Sequence, residues 1–400
     1  MHKIAFYLLW LLVFTIPWQN VVVFPMLGTI SRLIGFLVVG VAIFYILIKR
    51  QVSEPSLLLI LMALFVAWSF MTYFWSISPG GTLVRFVTNV QLLAMAWLIW
   101  ELCKTHLERD KLIQAFILGA YVSISDMIIT YQQATADSFR IVATGFNPNE
   151  LAATLALGIP FAFYLLVERK NNIFYWFNLL YIPLAIFAIV LTASRGGTMI
   201  AMVAILVIPI TFLWLEQRSK YIIFSFVIIS IMFISIWLPS NLEKIEANIE
   251  RISETPTALR EGDLNYRQII WRAGWQVFSE NSLVGVGAAG FRQSVAEPLY
   301  YERGKAPHNA YLSVLVETGI LGFLLFISIL FVVILPILGL KSPRREILFI
   351  LYIATLVALM PLGWEYNKSL WFILSMLSLY KSYVIRNFKL VQVNRNGYIK

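Results

Sequence analysis

The chain has 400 residues, of which 60% are hydrophobic and only 13% charged, and its mean hydropathy is +0.79. Soluble globular chains run near 45–50% apolar and about 25% charged, so an ordinary soluble enzyme and a disordered protein are both excluded. A net charge of +10 would suit nucleic acid in a soluble domain, but in a chain this apolar it reflects membrane topology. The single cysteine, Cys103, leaves no disulfide framework within the chain and no cysteine-built metal site.

Long uncharged apolar runs recur from end to end, and one membrane span takes about 20 residues. In chain order the runs lie near 4–23, 29–48, 56–74, 82–101, 111–131, 150–167, 173–191, 196–215, 220–238, 309–339, 345–363 and 367–386. They predict an all-α polytopic membrane protein of about 12 transmembrane helices. The first run has little charge before it and no small-residue cleavage site, so it reads as a retained span. With the N-terminus inside, the inner connections carry Lys49 and Arg50, Lys104 and Lys111, Arg169 and Lys170, Arg218 and Lys220, and Lys341 and Arg345. That asymmetry predicts that both termini are cytoplasmic. The expected division is 1–238 for spans one to nine, 239–308 for an outer segment, 309–386 for the last three spans and 387–400 for a cytoplasmic tail.

Residues 239–308 are polar and too long for a turn. Leu242, Ile245, Ile249 and Ile252 recur at helical spacing, as do Ile269, Ile270, Ala273 and Val277, so two or more amphipathic helices are expected on the outer membrane face. Residues 132–149 form a smaller outer loop.

Polar groups at membrane depth are costly and mark function by default. Arg85, Asp126, Arg195 and Glu317 all fall toward the outer ends of their spans, and the inner halves have almost nothing comparable. Taken alone, Arg85 would snorkel to head groups, and Asp126 and Glu317 would be neutral or paired. Four on one side point to chemistry on the outer leaflet. A transporter would instead need ionisable groups near the midplane, often on broken helices, a role that Glu317 alone could serve.

His308 opens the tenth span in Pro307-His308-Asn309-Ala310-Tyr311. A helix N-terminus disfavours imidazolium, as do nearby arginines, so a histidine there stays neutral at pH 7, as a general base must. The plain alternative is an interfacial histidine followed by Asn309 as an N-cap. Gly319 and Gly322 on the same helix have a spacing that suits close helix packing.

Arg195 lies in Thr192-Ala193-Ser194-Arg195-Gly196-Gly197, the short outer turn into the eighth span. Glycines there allow close backbone approach, a helix N-terminus attracts an anion, and the guanidinium fork fits phosphate oxygens. Arg267 begins an amphipathic helix that also holds Trp271, Arg272 and Trp275, where a solvated or head-group face is the simpler account of Arg272. The run from Gly285 to Gly290 follows no strand and lacks the P-loop lysine, so no nucleotide site is expected. Glu261-Gly262-Asp263 is the one outer acid-x-acid pair, with no histidine near it in sequence, so no metal site is expected.

Several of these stretches resemble one family. His308-Asn309, nine residues and Gly319-Ile320-Leu321-Gly322 match the H[NSQ]-x9-G-x-x-G pattern of bacterial O-antigen ligases. Ser194-Arg195-Gly196 resembles the family's S-R-G turn. Arg267 to Trp271, followed by Asn281 to Gly287, resembles its R-x-x-x-W … P-L-x-G-V-G stretch, with Ser282 where proline is usual. Gly145-Phe146-Asn147-Pro148-Asn149-Glu150 resembles its G-x-x-x-x-N opening of a span. With the span count and the long outer segment, the resemblance covers nearly the whole chain.

The resemblance implies a GT-C-like, metal-independent, inverting glycosyltransferase without cofactors in the inner membrane of a Gram-negative bacterium. It would move a glycan from undecaprenyl diphosphate to the lipid A-core on the periplasmic face. It implies His308 as general base and Arg195 and Arg267 as stabilisers of the departing diphosphate. Arg85, Arg140, Asn149, Asn309 and Arg272 complete the expected substrate contacts. An O-antigen polymerase, whose acceptor is a second undecaprenyl-linked glycan, shares much of the pattern and stands second. A polysaccharide or lipid transporter stands third.

Overall fold

The computed structural model describes residues 1–25, 28–50, 52–133, 140–169, 173–217, 242–254, 267–296 and 304–380, with isolated positions among 220–228 and at 298–299. The ninth expected span falls mostly outside the described residues. So do Glu261 and Asp263, the end of the twelfth span and the 387–400 tail.

The described residues are almost wholly helical. In chain order they form α1 (His2–Thr15), a two-residue hairpin of β1 (Val23–Phe24) and β2 (Gly28–Thr29), α2 (Ile30–Lys49), α3 (Leu57–Met71), α4 (Pro79–Leu102) and α5 (His106–Gln133). Then come α6 (Pro148–Glu168), α7 (Tyr175–Leu191), α8 (Arg195–Ile205), α9 (Val207–Thr211), α10 (Leu242–Ser253), α11 (Arg267–Glu280) and the short α12 (Phe291–Ser294). The last three are α13 (Ala310–Leu338), α14 (Arg344–Ala358) and α15 (Lys368–Tyr380).

Six of these helices are long and apolar enough to cross a membrane: α2, α3 with its 3-10 extension, α4, α5, α6 and α13. Shorter apolar helices occupy His2–Trp18, Tyr175–Leu191, Arg195–Thr211 and Lys368–Tyr380. Length and hydropathy alone therefore support a subset of the expected spans. The apolar run at 196–215 is not one continuous helix, because α8 gives way to α9 and a 3-10 turn around Pro209.

Helix α6 is the hub. It packs on α5, α7, α8 and α14, and nearly every residue from Leu151 to Leu166 is buried. Small residues permit this: a Cβ at Gly197 of α8 would collide with the Cβ of Ala152 on α6. That contact fixes the start of α8, which carries Arg195, against the start of α6, which carries Asn149.

Helix α13 is broken. Gly319 has φ 66 and ψ −172, outside helical geometry, and backbone from the Gly285–Gly287 stretch pairs with the break. Val286 and Gly287 donate to the carbonyls of Val316 and Glu317 at 3.0 and 2.9 Å, and Ile320 donates to Ser282 at 2.9 Å. The glycines at 285, 287 and 319 are thus a backbone splice, and the G-x-x-G spacing reflects a helix break where simple helix-on-helix packing is the sequence expectation. Only glycine has φ near +66 without strain, and a Cβ at Gly319 would strike the Leu283 carbonyl.

Near the splice lies a buried polar cluster. Glu317 accepts from the Phe291 amide at 3.4 Å and from the Tyr366 hydroxyl at 3.3 Å. The Arg85 guanidinium sits 3.6 Å from the Tyr366 ring centroid, and Ser313 donates to Glu365 at 2.6 Å. Arg85 therefore faces into the bundle and does not snorkel: the ring and the carboxylates around it offer more than a head group would.

At the opposite end of the bundle, Asp110 is flanked by Arg109 and by Arg169, the latter at 2.6 Å. Tyr164 accepts from Arg109 at 2.6 Å there.

Candidate active site

One cavity of about 680 Å³ opens where the loop before α6, the start of α8, the end of α10, the start of α11 and the strand of chain before α13 meet. Arg140, Asn147, Asn149, Arg195, Arg251, Arg267, Lys305 and His308 supply its polar lining. Gly196, Ile269, Ile270, Leu299 and Ala306 supply the rest. Five cationic side chains and no carboxylate line it among the described residues.

The first wall is built by mutual hydrogen bonding. Arg140 has φ 78 and is held by two bonds, from Nε to the Thr192 carbonyl at 3.0 Å and from Nη2 to Asn149 Oδ1 at 3.1 Å. Ser194 donates to the same Asn149 oxygen at 2.7 Å while capping α8 by accepting from the Gly197 amide at 3.0 Å. Asn147 caps α6, accepting from the Asn149 amide at 2.9 Å. Asp126 is a structural partner of this loop, accepting from the Thr144 amide at 2.6 Å.

Arg195 is engaged by the end of α10. Its Nε donates to the Arg251 carbonyl at 2.9 Å and its Nη2 to Glu254 at 3.1 Å. The Glu254 side chain is 58% exposed, so this ion pair is open to solvent and weakly held.

The second wall carries His308. Burial depresses its pKa below the ordinary histidine value, and the charges of Arg267 and Arg292 depress it further. The imidazole is therefore neutral at pH 7. Its backbone has φ 45, a conformation held by the two residues after it. Asn309 caps α13 by accepting from the Leu312 amide at 3.2 Å, and Ala310 donates to the Leu359 carbonyl at 2.9 Å. Trp271 of α11 donates to the Pro307 carbonyl at 2.8 Å, which ties the helix of Arg267 to the residue before His308.

The arginines lie within one another's positive field. Arg140 lies below the ordinary arginine value through burial and the charges of Arg251 and Arg267, and Arg267 does so through burial. Arg251 is lowered by burial and by Arg195, with Glu254 opposing. Like charges gathered in a half-buried cavity are costly, and an anion relieves that cost.

Of the residues singled out in the sequence, His308, Arg195, Arg267, Arg140 and Asn149 line the cavity. Asn309, Arg85 and Arg272 do not. Asn309 spends its side chain on the helix cap. Arg85 is committed to Tyr366. Arg272 is exposed, because the buried stripe of α11 runs through Ile270, Ala273 and Val277, which also leaves Ile269 turned toward the cavity. In the sequence Asn147 stood only as a member of the Gly145–Glu150 motif, and Arg251 and Lys305 were not singled out. Proximity of Lys305 to His308, and the place of Arg251 in the last turn of α10, were the available signals. Among the described residues, no three His, Cys, Asp or Glu side chains converge as metal ligands.

No curated protein matches the chain. Residues 180–327 match the model of a family described as O-antigen ligase, and that stretch holds Arg195, Arg251, Arg267, Lys305 and His308, while Arg140, Asn147 and Asn149 precede it. Over that stretch, just over a third of its length, the chain is similar to the O-antigen ligase family, and six of its described helices are long and apolar enough to cross a membrane.

Proposed function

We propose that the protein is an O-antigen ligase that transfers a glycan from undecaprenyl diphosphate to the lipid A-core, without a metal ion and with inversion at the anomeric carbon. The observation that carries this reading is the convergence of Arg140, Arg195, Arg251 and Arg267 with a neutral His308 in one cavity. His308 takes the proton of the acceptor hydroxyl as its oxygen attacks the anomeric carbon. The bond from that carbon to the diphosphate oxygen breaks, and the electron pair leaves with the diphosphate. The arginines meet the growing negative charge, the role a metal would otherwise fill.

The same reading puts the cavity on the periplasmic face of the inner membrane and both termini in the cytoplasm. It assigns residues 239–308 to a helical segment over the site, between a nine-span unit at 1–238 and a three-span unit at 309–386.

Polymerase activity is the second reading, since the family match covers both. A transport path through the broken helix is disfavoured, because backbone of residues 282–287 fills the break at Gly319. The deciding experiment offers purified protein a lipid-linked glycan with and without lipid A-core, in chelator. Label on the lipid A-core supports the ligase. A ladder of longer lipid-linked glycan without core assigns a polymerase, and no product from folded protein and authentic donor removes both.

A further inference from the structure

On the Arg140 side of the cavity the side-chain oxygens are already engaged. Asn149 is half-buried, and its Oδ1 accepts from Arg140 Nη2 at 3.1 Å and from Ser194 Oγ at 2.7 Å. A guanidinium can only donate, so the amide atom that meets Arg140 is the oxygen, and the nitrogen is the atom left over. Beside it, Asn147 Oδ1 accepts from the Asn149 amide at 2.9 Å. Ser194 Oγ accepts from the Gly197 amide while it donates to Asn149. Asn147 and Asn149 both line the cavity, and among the described residues neither side-chain nitrogen has a partner.

This wall therefore offers a ligand two neutral NH2 groups, held in orientation by the bonds their oxygens make. It adjoins the diphosphate seat, because Asn149 is bonded to Arg140. The anomeric carbon that bears the diphosphate has two ring neighbours, the ring oxygen and carbon 2. A donor on the ring oxygen would oppose the positive charge that grows there as the leaving group departs. The substituent on carbon 2 is the group that remains. A hydroxyl there brings a proton that meets only oxygens already engaged, whereas an amide carbonyl is an acceptor alone. Polar hydrogens left unmatched on binding cost affinity.

We propose that Asn149, with Asn147 beside it, reads the carbonyl oxygen of an acylamino group on the carbon next to the reacting one, so that the preferred donor is the diphosphate of an N-acylated amino sugar. This rests on the donor-diphosphate reading of the same cavity. The two amides set which sugar is accepted, and the arginines and His308 serve the transfer itself.

Equilibrium binding to the full-length protein in detergent, without acceptor, tests this with three labelled probes: farnesyl diphosphate-linked N-acetylglucosamine, its glucose counterpart and pyrophosphate. The N-acetylglucosamine probe should bind at least about fivefold more tightly than the glucose probe, the scale of one neutral hydrogen bond. Asn147→Ser is neutral, keeps a helix cap and removes one amide, so it should lower that ratio and leave pyrophosphate affinity unchanged. Asn149→Asp keeps the oxygen that serves Arg140 and Ser194 and removes the other amide. Its added charge acts on both sugar probes alike, so their ratio reports the lost donor and should fall toward one. Thermal melts confirm that the variants are folded. Equal binding of the two sugar probes by the wild type, or a ratio that Asn149→Asp preserves, would overturn the inference and leave the donor reading intact. So would an Asn147→Ser variant whose pyrophosphate affinity falls as far as its affinity for the sugar probes, since the amide would then be a phosphate contact. A folded protein that binds neither pyrophosphate nor either sugar probe would remove the donor reading and this inference with it.

Discussion

Trp271 and Pro307 are joined by one hydrogen bond, from the indole Nε1 to the carbonyl oxygen at 2.8 Å, and through it the helix bearing Arg267 is fastened to the chain bearing His308. The two candidate side chains come from segments about 40 residues apart in sequence, and this bond is a direct brace between those segments. Trp271→Phe keeps an aromatic ring and removes the donor. A buried carbonyl left without its partner costs about 1–3 kcal/mol. Small misplacement of reacting groups lowers rate steeply. Stability should fall by about 1–2 kcal/mol in thermal melts, and kcat should fall by about tenfold or more with KM nearly unchanged.

The pH profile carries the signature of His308. Its pKa lies below the ordinary 6.5 because of burial and the charges of Arg267 and Arg292. A base must be neutral, so kcat/KM should hold at pH 7 and decline only as pH falls through that lowered value. Arg292→Ala removes one of the depressing charges and should move the acid limb upward. A limb that stays in place would show that Arg292 has no electrostatic hold on the base.

Arg195 is held by an exposed carboxylate, and this leads to opposite expectations for two neighbours. Glu254→Gln should free the guanidinium and tighten pyrophosphate binding by up to about fivefold, the scale of an exposed ion pair. Arg195→Lys should weaken it, because an ammonium cannot reproduce the fork that spans two phosphate oxygens. Calorimetric titration of both variants with pyrophosphate checks the pair.

Gly319→Ala tests the splice in α13. A left-handed non-glycine residue costs about 1–3 kcal/mol, and the added Cβ also meets the Leu283 carbonyl. The variant should lose at least about 2 kcal/mol of stability by thermal melt in detergent. Gly322→Ala should cost less, since the Cβ there meets chiefly the side chains of Thr318 and Trp68.

Much of the helical layout was legible because an apolar run of about 20 residues has few other fates. Helices α2 to α6 and α13 fall where such runs lie. The broken path at α8 and α9 was hidden, because hydropathy does not register the turn near Pro209. At the site, His308, Arg195, Arg267, Arg140 and Asn149 stood out as polar residues at the ends of apolar runs or in short motifs. Arg251 did not, because a basic residue in the last turn of an amphipathic helix is what any solvated helix shows. Arg85 pointed the wrong way because its partners, Tyr366 and the Glu317 cluster, lie more than 200 residues away and no local pattern announces them. Gly319 and Gly322 showed their spacing in the sequence, but only the backbone angle distinguishes a break from a packing notch.

The central claim is that His308 is the general base of a glycan transfer supported by the surrounding arginines. The most direct measurement is the single-turnover rate of His308→Ala with the lipid-linked donor, in chelator, beside its pyrophosphate affinity. The account predicts a fall of about 10²–10⁴ in rate with pyrophosphate binding retained. A variant that transfers glycan at the wild-type rate would contradict it.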